Sequence, residues 1–167
     1  MREFEFEKII SDIQKWIKDY VNAANVRFVV VGISGGVDSA VATTLCVGAL
    51  GKKNVIGLGL PCSSNPQDMK DAKALAKKLG IRFIIFDLED IYNEFMKKSA
   101  SIIESNSLAI ANLKPRLRMM TLYFIGQSLG RSIVVGTSNR TEIAFGYFTK
   151  YGDGGVDIEP IGGFYKC

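Results

Sequence analysis

One short segment combines residue types that suit the binding of a phosphate group: two adjacent glycines, two serines and an acid. Its members are Gly32, Ile33, Ser34, Gly35, Gly36, Val37, Asp38 and Ser39. Glycines allow a sharp turn and a close backbone approach to a ligand, because they carry no Cβ. The serines offer hydroxyl donors, and the free N–H groups at the start of a following helix attract anions. The segment is therefore a candidate phosphate-binding loop.

This candidate loop is too weak to bind a nucleotide by itself. It lacks the GxxxxGK(S/T) pattern of P-loop NTPases and contains no lysine. A helix N-terminus contributes ~0.3–1 kcal/mol, whereas micromolar binding requires about −8 kcal/mol. A cation and distant side chains must therefore contribute to binding.

Asp38 is the unusual residue of the loop, because a carboxylate repels phosphate unless a metal ion lies between them. We interpret it as a ligand of Mg²⁺, which binds carboxylates together with phosphate oxygens. The alternative interpretation is structural, since acidic residues are favoured in the first turn of a helix.

Strands and helices alternate around this loop. Apolar residues at helical spacing between Phe6 and Val21 predict a first helix, with Trp16 in the core. Apolar runs predict strands at residues 27–32, 54–60, 81–87 and 133–136. Helical spacing and capping residues predict further helices at 37–50, 66–79, 91–105, 108–129 and 139–145. The alternation predicts one α/β domain, a doubly wound parallel sheet with helices on both faces, followed by a glycine-rich, aperiodic tail.

The composition excludes several kinds of site. The chain has no histidine and three cysteines without a CxxC pair, which excludes a Cys/His zinc site and a histidine-dependent triad. Such unpaired thiols favour a reducing, cytoplasmic location. The net charge of +4 comes from scattered residues, so we expect no nucleic-acid partner. We also expect no signal peptide and no membrane span, because no apolar run approaches the required ~20 residues.

The SGGVDS string at residues 34–39 resembles the signature of the N-type ATP pyrophosphatases, the PP-loop superfamily. That resemblance implies an adenine nucleotide alpha hydrolase-like, Rossmann-like fold and cleavage of ATP between its α- and β-phosphates. Three more segments resemble ammonia-dependent NAD synthetase: NLKPRLRM at 112–119, GTSNRTE at 136–142 and GYFTKYGDGGVDI at 146–158. Members of that family usually continue further, so we expect the C-terminal part to be missing.

The NAD synthetase resemblance implies roles for individual residues. Thr137 and Lys166 would contact ATP, Asp38 and Glu142 would be the catalytic pair that holds Mg²⁺, and Arg116, Lys150 and Asp157 would bind deamido-NAD. A structural alternative exists for each of them. Glu142 could complete a capping box with Asn139, and the others could be solvated charges.

The resemblance also implies a reaction and its partners. The reaction is the ATP-dependent amidation of deamido-NAD by free ammonia or ammonia from a separate supplier, in a ligase that is typically a homodimer. The two long helices before the fourth strand would form its interface. Two alternatives remain: another PP-loop adenylating enzyme, GMP synthetase-like or tRNA-modifying, and a non-catalytic adenine-nucleotide-binding module.

Overall fold

The structure is a computed structural model that describes residues 3–166. These residues form four β-strands and six α-helices, with a short 3-10 turn at Lys52–Asn54. The strands are β1 (Phe28–Gly32), β2 (Val55–Gly59), β3 (Arg82–Ile85) and β4 (Ser132–Val135). The helices are α1 (Glu3–Ala23), α2 (Val37–Leu50), α3 (Pro66–Leu79), α4 (Glu89–Ala100), α5 (Ser107–Leu129) and α6 (Arg140–Phe145). None of these helices has the length and apolar character needed to cross a membrane.

Within residues 3–166, the strands form one parallel sheet in the order β3-β2-β1-β4. Val30 of β1 lies beside Ile56 of β2 on one side and beside Val134 of β4 on the other. The chain thus moves outward from β1 to β3 and then returns to the opposite side of β1. This reversal leaves a crevice between the carboxyl ends of β1 and β4, where open α/β sheets bind their ligands.

Helices cover both faces of the sheet, so the predicted doubly wound α/β fold is confirmed. On one face, Val29 and Val31 of β1 pack in a core with α1, α2 and α3. On the other face, Phe28 and Val30 pack with Leu117 of α5 and with α4. Burial on both sides explains the continuous apolar run of β1 in the sequence.

The prediction that Trp16 lies in the core is wrong. Its side chain is 44% exposed and contacts Tyr20, with ring centroids 6.2 Å apart. Ile17 and Val21 are the residues of α1 that enter the core beside α2. Successive residues differ by about 100° around a helix, so Trp16 points away from this buried stripe.

The tail after residue 146 is irregular, as predicted, but part of it extends the sheet. Ile158 forms a parallel bridge with Val135, and the Gly136 N–H donates to the Ile158 carbonyl at 2.8 Å. The tail then turns back over α6, where the Arg140 N–H donates to the Phe164 carbonyl at 2.8 Å. This path brings the tail to the carboxyl edge of the sheet.

Candidate active site

A cavity of about 690 Å³ lies at the carboxyl edge of the sheet, within the range of roughly 300–1,000 Å³ typical of small-molecule sites. Its walls come from the phosphate loop, the loops after β2 and β4, helix α5 and the tail. Apolar lining residues include Leu58, Leu60, Met119, Leu122 and Val135. Polar lining residues include Ser34, Asn112, Arg118, Thr137 and Asp153. The cavity therefore suits a ligand that has both apolar and polar parts.

The phosphate loop joins β1 to α2 and is shaped by hydrogen bonds among its own members. The Ser39 hydroxyl donates to the Gly36 carbonyl at 2.9 Å, and the Ser34 N–H donates to Ser39 Oγ at 3.2 Å. The Gly36 N–H donates to Ser34 Oγ at 3.2 Å. Ser39 is only 2% exposed, whereas Ser34 is exposed and lines the cavity. Ser34 is therefore available to a ligand, while the hydroxyl of Ser39 maintains the turn.

Gly35 is the position in this loop that requires glycine. Its φ is +91°, in the left-handed region, and an added Cβ would lie 2.8 Å from Asp68 Cα and overlap the Asp68 carbonyl oxygen. Gly36 differs, because its φ is −82° and an added Cβ would lie 3.4 Å from Ser34 Oγ. The close approach of the loop to α3 therefore depends on Gly35.

Asp38, in the first turn of α2, forms an ion pair with Lys166. Lys166 Nζ lies 2.6 Å from Asp38 Oδ2, and the Lys166 N–H donates to Thr141 Oγ1 at 3.1 Å. The hydrogen bond with Asp38 and the charge of Asp38 raise the pKa of Lys166, and the charge of Glu142 raises it further. The two carboxylates predicted to act as a pair thus both act on one ammonium group.

Glu142 completes a capping box at the start of α6. The Asn139 N–H donates to Glu142 Oε2 at 3.0 Å, and the Glu142 N–H donates to Asn139 Oδ1 at 3.1 Å. The structural alternative for Glu142 is therefore present, and its metal role stays a prediction. In the part of the chain that the structure describes, Asn139 Nδ2 is buried without a hydrogen-bond partner.

Asp38 and Glu142 would supply two carboxylate ligands to a divalent cation whose remaining ligands are phosphate oxygens, and this role stays a prediction. Among residues 3–166, no cluster of three or more acidic or cysteine side chains is arranged to hold a metal ion. Mg²⁺ needs only one or two carboxylates when a substrate supplies phosphate ligands. A cationic group already lies beside one of these acids, since Lys166 Nζ is 2.6 Å from Asp38 Oδ2.

Two residues predicted to bind deamido-NAD meet beside α5. Arg116 Nε donates to the Lys150 carbonyl at 3.3 Å, and Lys150 Nζ lies 5.1 Å from the ring centroid of Tyr151. One turn earlier on α5, Asn112 Oδ1 accepts a hydrogen bond from the Thr149 hydroxyl at 2.8 Å. These contacts dock the tail on α5.

The side chain of Asp157 accepts two hydrogen bonds within the chain. Its Oδ2 accepts from the Val134 N–H at 2.7 Å, and its Oδ1 accepts from the Tyr123 hydroxyl at 3.0 Å. Burial, followed by the charge and hydrogen bond of Asp157, raises the pKa of Tyr123, so this hydroxyl stays protonated and donates. Asp157 therefore fastens the tail to β4, and its contact with deamido-NAD stays a prediction.

Arg118 lines the cavity, and sequence reasoning assigned it no role. Its Nε donates to the Leu60 carbonyl at 3.0 Å, and its Nη2 donates to Ser64 Oγ at 3.4 Å. The guanidinium thus ties α5 to the loop after β2. The feature of the sequence that could have indicated a role for Arg118 is its position two residues after Arg116 on the same predicted helix.

Glu159 is a second site residue that sequence reasoning missed. The Ser138 N–H donates to its Oε2 at 2.9 Å. Burial raises the pKa of Glu159 to about 7; its hydrogen bonds with Ser138 oppose the rise, and the charges of Asp153 and Glu142 add to it. The pKa of Glu159 in the folded chain lies above its ordinary value of 4.5, so protonation of this residue favours the folded state. Its contribution to the free energy of unfolding is therefore full below about pH 4.5 and is lost as the pH rises through about 7. The sequence did not predict this burial or the contact with Ser138, because Glu159 is a single acid in a tail without regular spacing.

The fold and the site together define a class of protein. A doubly wound parallel sheet, with an SGGVDS loop between β1 and α2 and a cavity at the point where strand order reverses, is an adenine nucleotide alpha hydrolase-like, Rossmann-like domain. The particular family follows from comparison with known proteins. The chain belongs to the NAD synthase family, whose model matches residues 9–167.

Individual relatives agree with this family. The chain is 51% identical over 164 residues to the NH3-dependent NAD+ synthetase of Methanosarcina acetivorans, covering 97% of this chain and 64% of the relative. It matches the solved NH3-dependent NAD synthetase of Campylobacter jejuni with a TM-score of 0.88 and 37% identity, covering 96% of this chain and 68% of that one. An NMN synthetase from Francisella tularensis matches with a TM-score of 0.87 and 36% identity, covering 95% and 65%. The chain spans about 65% of the length of the curated relatives it matches.

Proposed function

We propose that this chain carries the site for ATP-dependent amidation of deamido-NAD to NAD, with ammonia as the nitrogen donor. The supporting observation is that Ser34, the first residue of the SGGVDS loop, lines a ligand-sized cavity and that Asp38 of the loop is paired with Lys166, in a chain of the NAD synthase family. Relatives named NH3-dependent NAD+ synthetase support the choice of product and nitrogen donor. The enzyme would be a ligase that forms a C–N bond and converts ATP to AMP and pyrophosphate.

The first step transfers the adenylyl group of ATP to the substrate. The nicotinate carboxylate of deamido-NAD attacks the α-phosphorus of ATP, and the bond to pyrophosphate breaks. Ser34 and the N–H groups of its loop would donate hydrogen bonds to the departing pyrophosphate. The Lys166 ammonium, which is half exposed beside Asp38, would move to a phosphate oxygen. Mg²⁺ held by Asp38 and Glu142 would neutralise charge on the phosphates.

The second step forms the amide. The nitrogen of ammonia attacks the carbonyl carbon of the acyl-adenylate, AMP leaves with the electrons of the C–O bond, and a proton is released. The chain contains no histidine, so orientation and charge would supply most of the acceleration. Relatives named NH3-dependent NAD+ synthetase support free ammonia as the nitrogen donor, with a separate supplier as the alternative source.

The substrate side of the site would recognise anionic groups. Deamido-NAD carries a carboxylate and two phosphates, and Arg116, whose Nε donates to the Lys150 carbonyl, and Lys150 would supply two cations for them. Arginine binds such groups with paired hydrogen bonds, whereas lysine acts as a compact charge. Thr137 lines the cavity and would contact ATP.

The proposal is tested by following pyrophosphate release and product formation by the 167-residue chain with ATP, Mg²⁺ and ammonia. We expect deamido-NAD to stimulate release and to yield NAD and AMP in equal amounts. Parallel reactions contain nicotinate mononucleotide, xanthosine monophosphate or tRNA. Because one structural relative is an NMN synthetase, the reaction with nicotinate mononucleotide tests whether the chain prefers this substrate or deamido-NAD.

Other outcomes of this assay would replace the proposal. Greater stimulation by nicotinate mononucleotide would indicate an NMN synthetase, and stimulation by xanthosine monophosphate or tRNA would indicate another PP-loop adenylating enzyme. Binding of ATP without pyrophosphate release in any reaction would indicate a binding module. Addition of EDTA is the matched control for the role of Mg²⁺.

We also propose that the protein is a homodimer that associates through α4 and α5. Apolar side chains on these helices are 42–69% exposed: Ile91, Phe95, Leu108, Met120 and Phe124. An exposed apolar surface of this kind is typical of an interface, and two-fold pairing covers the same surface on both copies. The adjacent position of Arg116 on α5 would bring the deamido-NAD site close to the interface.

Light scattering after gel filtration tests the dimer. We expect the wild-type chain to have the mass of a dimer and the double variant Met120→Asp with Phe124→Asp to have the mass of a monomer. Phe145→Asp is the matched control, because Phe145 is 83% exposed but lies on α6. A monomeric wild-type chain, or a dimeric double variant, would rule out this interface.

A further inference from the structure

We propose that Glu159 is a positioning residue that holds the loop between β4 and α6, residues 136–139, in the arrangement that binds ATP. This inference rests on the proposed function, since Thr137 in that loop is the predicted ATP contact. Glu159 would act through the backbone of the loop rather than by touching ATP.

The packing of Glu159 against the loop is close. Its Oε2 accepts a hydrogen bond from the Ser138 N–H at 2.9 Å, and an added Cβ on Gly136 would overlap its carboxylate group. Thr137 lies between these two contacted residues and lines the cavity. The position of Thr137 is therefore set by contacts on either side of it in the chain.

Two carboxylates hold successive N–H groups of this loop. Glu159 accepts from Ser138, and Glu142 accepts from Asn139 at 3.0 Å. Glu142 is also the predicted ligand of Mg²⁺, so its oxygens would be shared between the loop and the cation. Glu159 has no such second role in the proposed site, and its bond to Ser138 would keep the loop fixed when Glu142 binds the cation.

The tail that carries Glu159 is itself fastened on both sides of it. Before Glu159, Ile158 pairs with Val135 of β4. After Glu159, the Phe164 carbonyl accepts a hydrogen bond from the Arg140 N–H of α6 at 2.8 Å. The carboxylate is therefore presented from a fixed backbone, which a positioning role requires.

Glutamine separates the hydrogen bond from the charge. Burial raises the pKa of Glu159, and the acids that add to this rise are Asp153 in the tail and Glu142 on α6. Glu159→Gln keeps an oxygen acceptor for the Ser138 N–H and removes the buried charge, whereas Glu159→Ala removes both. A positioning role predicts that glutamine rescues what alanine loses.

The experiment measures two quantities in the 167-residue chain: hydrogen exchange of the Ser138 amide by NMR, and the dissociation constant of Mg²⁺-ATP by calorimetry. In Glu159→Ala, we expect faster exchange at Ser138 and about tenfold weaker ATP binding, the effect of losing one hydrogen bond that fixes the loop. In Glu159→Gln, we expect both quantities to stay near the wild-type values. Glu104→Gln, in the exposed loop between α4 and α5, is the control.

The outcomes are distinguishable from failure of the proposed function. If the wild-type chain does not bind ATP, the proposed function fails, and Ser138 exchange still reports whether Glu159 holds the loop. Unchanged exchange and unchanged ATP binding in Glu159→Ala would overturn the inference, as would a glutamine variant as impaired as the alanine variant. If Glu159→Ala does not fold, Glu159→Asp replaces it, because its shorter side chain withdraws the acceptor from Ser138 while keeping the acid.

Discussion

Replacement of Asp38 by asparagine is expected to lower Mg²⁺-dependent pyrophosphate release by on the order of 100- to 1000-fold, the effect of removing one main electrostatic contact to the reacting groups. Asparagine preserves the size of the side chain and one oxygen. It removes the charge that pairs with Lys166 at 2.6 Å and that would hold the cation against the phosphates. The measurement is the steady-state rate with saturating ATP, deamido-NAD, ammonia and Mg²⁺.

The metal dependence of ATP binding gives a second and sharper readout of Asp38. Without Mg²⁺, the Asp38 carboxylate repels phosphate, so the asparagine variant should bind ATP at least as tightly as the wild-type chain. With Mg²⁺, the order should reverse, because the wild-type carboxylate then binds the cation that the phosphates share. Calorimetric titration with ATP, in EDTA and in Mg²⁺, measures both cases.

A matched control removes a carboxylate from an ion pair elsewhere. Glu94 on α4 pairs with Lys98 at 3.8 Å, and both side chains are largely exposed. Such surface pairs contribute about 0.3–0.5 kcal/mol, so Glu94→Gln should leave the rate and ATP binding unchanged. A wild-type rate in Asp38→Asn at saturating Mg²⁺ would contradict the metal role of Asp38.

The elements of the fold were predictable because their signals are local. Each strand is an apolar run bounded by turns, and α3 has Asn65 as its cap, Pro66 in its first turn and Gly80 at its end, as the structure confirms. The end of α4 was not predictable from spacing alone. The helix predicted to reach residue 105 ends at Ala100, where the Ser101 hydroxyl donates to the Lys98 carbonyl at 2.7 Å.

The site was predictable only where its residues are contiguous. The phosphate loop lies within eight residues of the sequence, so its chemistry and spacing are visible together. The partners Asp38 and Lys166 are 128 residues apart, and Ser138 and Glu159 are 21 apart. Both pairs form only because the irregular tail returns to the carboxyl edge of the sheet, and no hydrophobic spacing in the sequence predicts that path. The roles predicted for Lys166 and Glu142 came instead from the family resemblance.

Gly35→Ala should cause the largest loss of nucleotide binding of any single methyl addition to the loop. Alanine at a φ of +91° carries a backbone penalty of about 1–3 kcal/mol. Its Cβ would also overlap the Asp68 carbonyl oxygen and lie 2.8 Å from Asp68 Cα. Both atoms belong to the backbone of α3, so the loop rather than a flexible side chain must shift. The shift would displace the Ser34 hydroxyl and the N–H groups that a pyrophosphate would contact.

Gly51→Ala separates backbone strain from this displacement. Gly51 has a φ of +77°, and an added Cβ would meet nothing within 4 Å. In both variants the backbone penalty should lower the free energy of unfolding by about 1–3 kcal/mol. Both should therefore unfold at a lower denaturant concentration than the wild-type chain. ATP binding, measured by calorimetry in Mg²⁺, should fall by on the order of 100-fold in Gly35→Ala and stay unchanged in Gly51→Ala, because the displaced Ser34 hydroxyl and loop N–H groups would lose hydrogen bonds to charged phosphate oxygens, each worth about 1.5–3 kcal/mol. If the two variants lost equal stability and both still bound ATP, the close contact between the loop and α3 would not be what positions the phosphates.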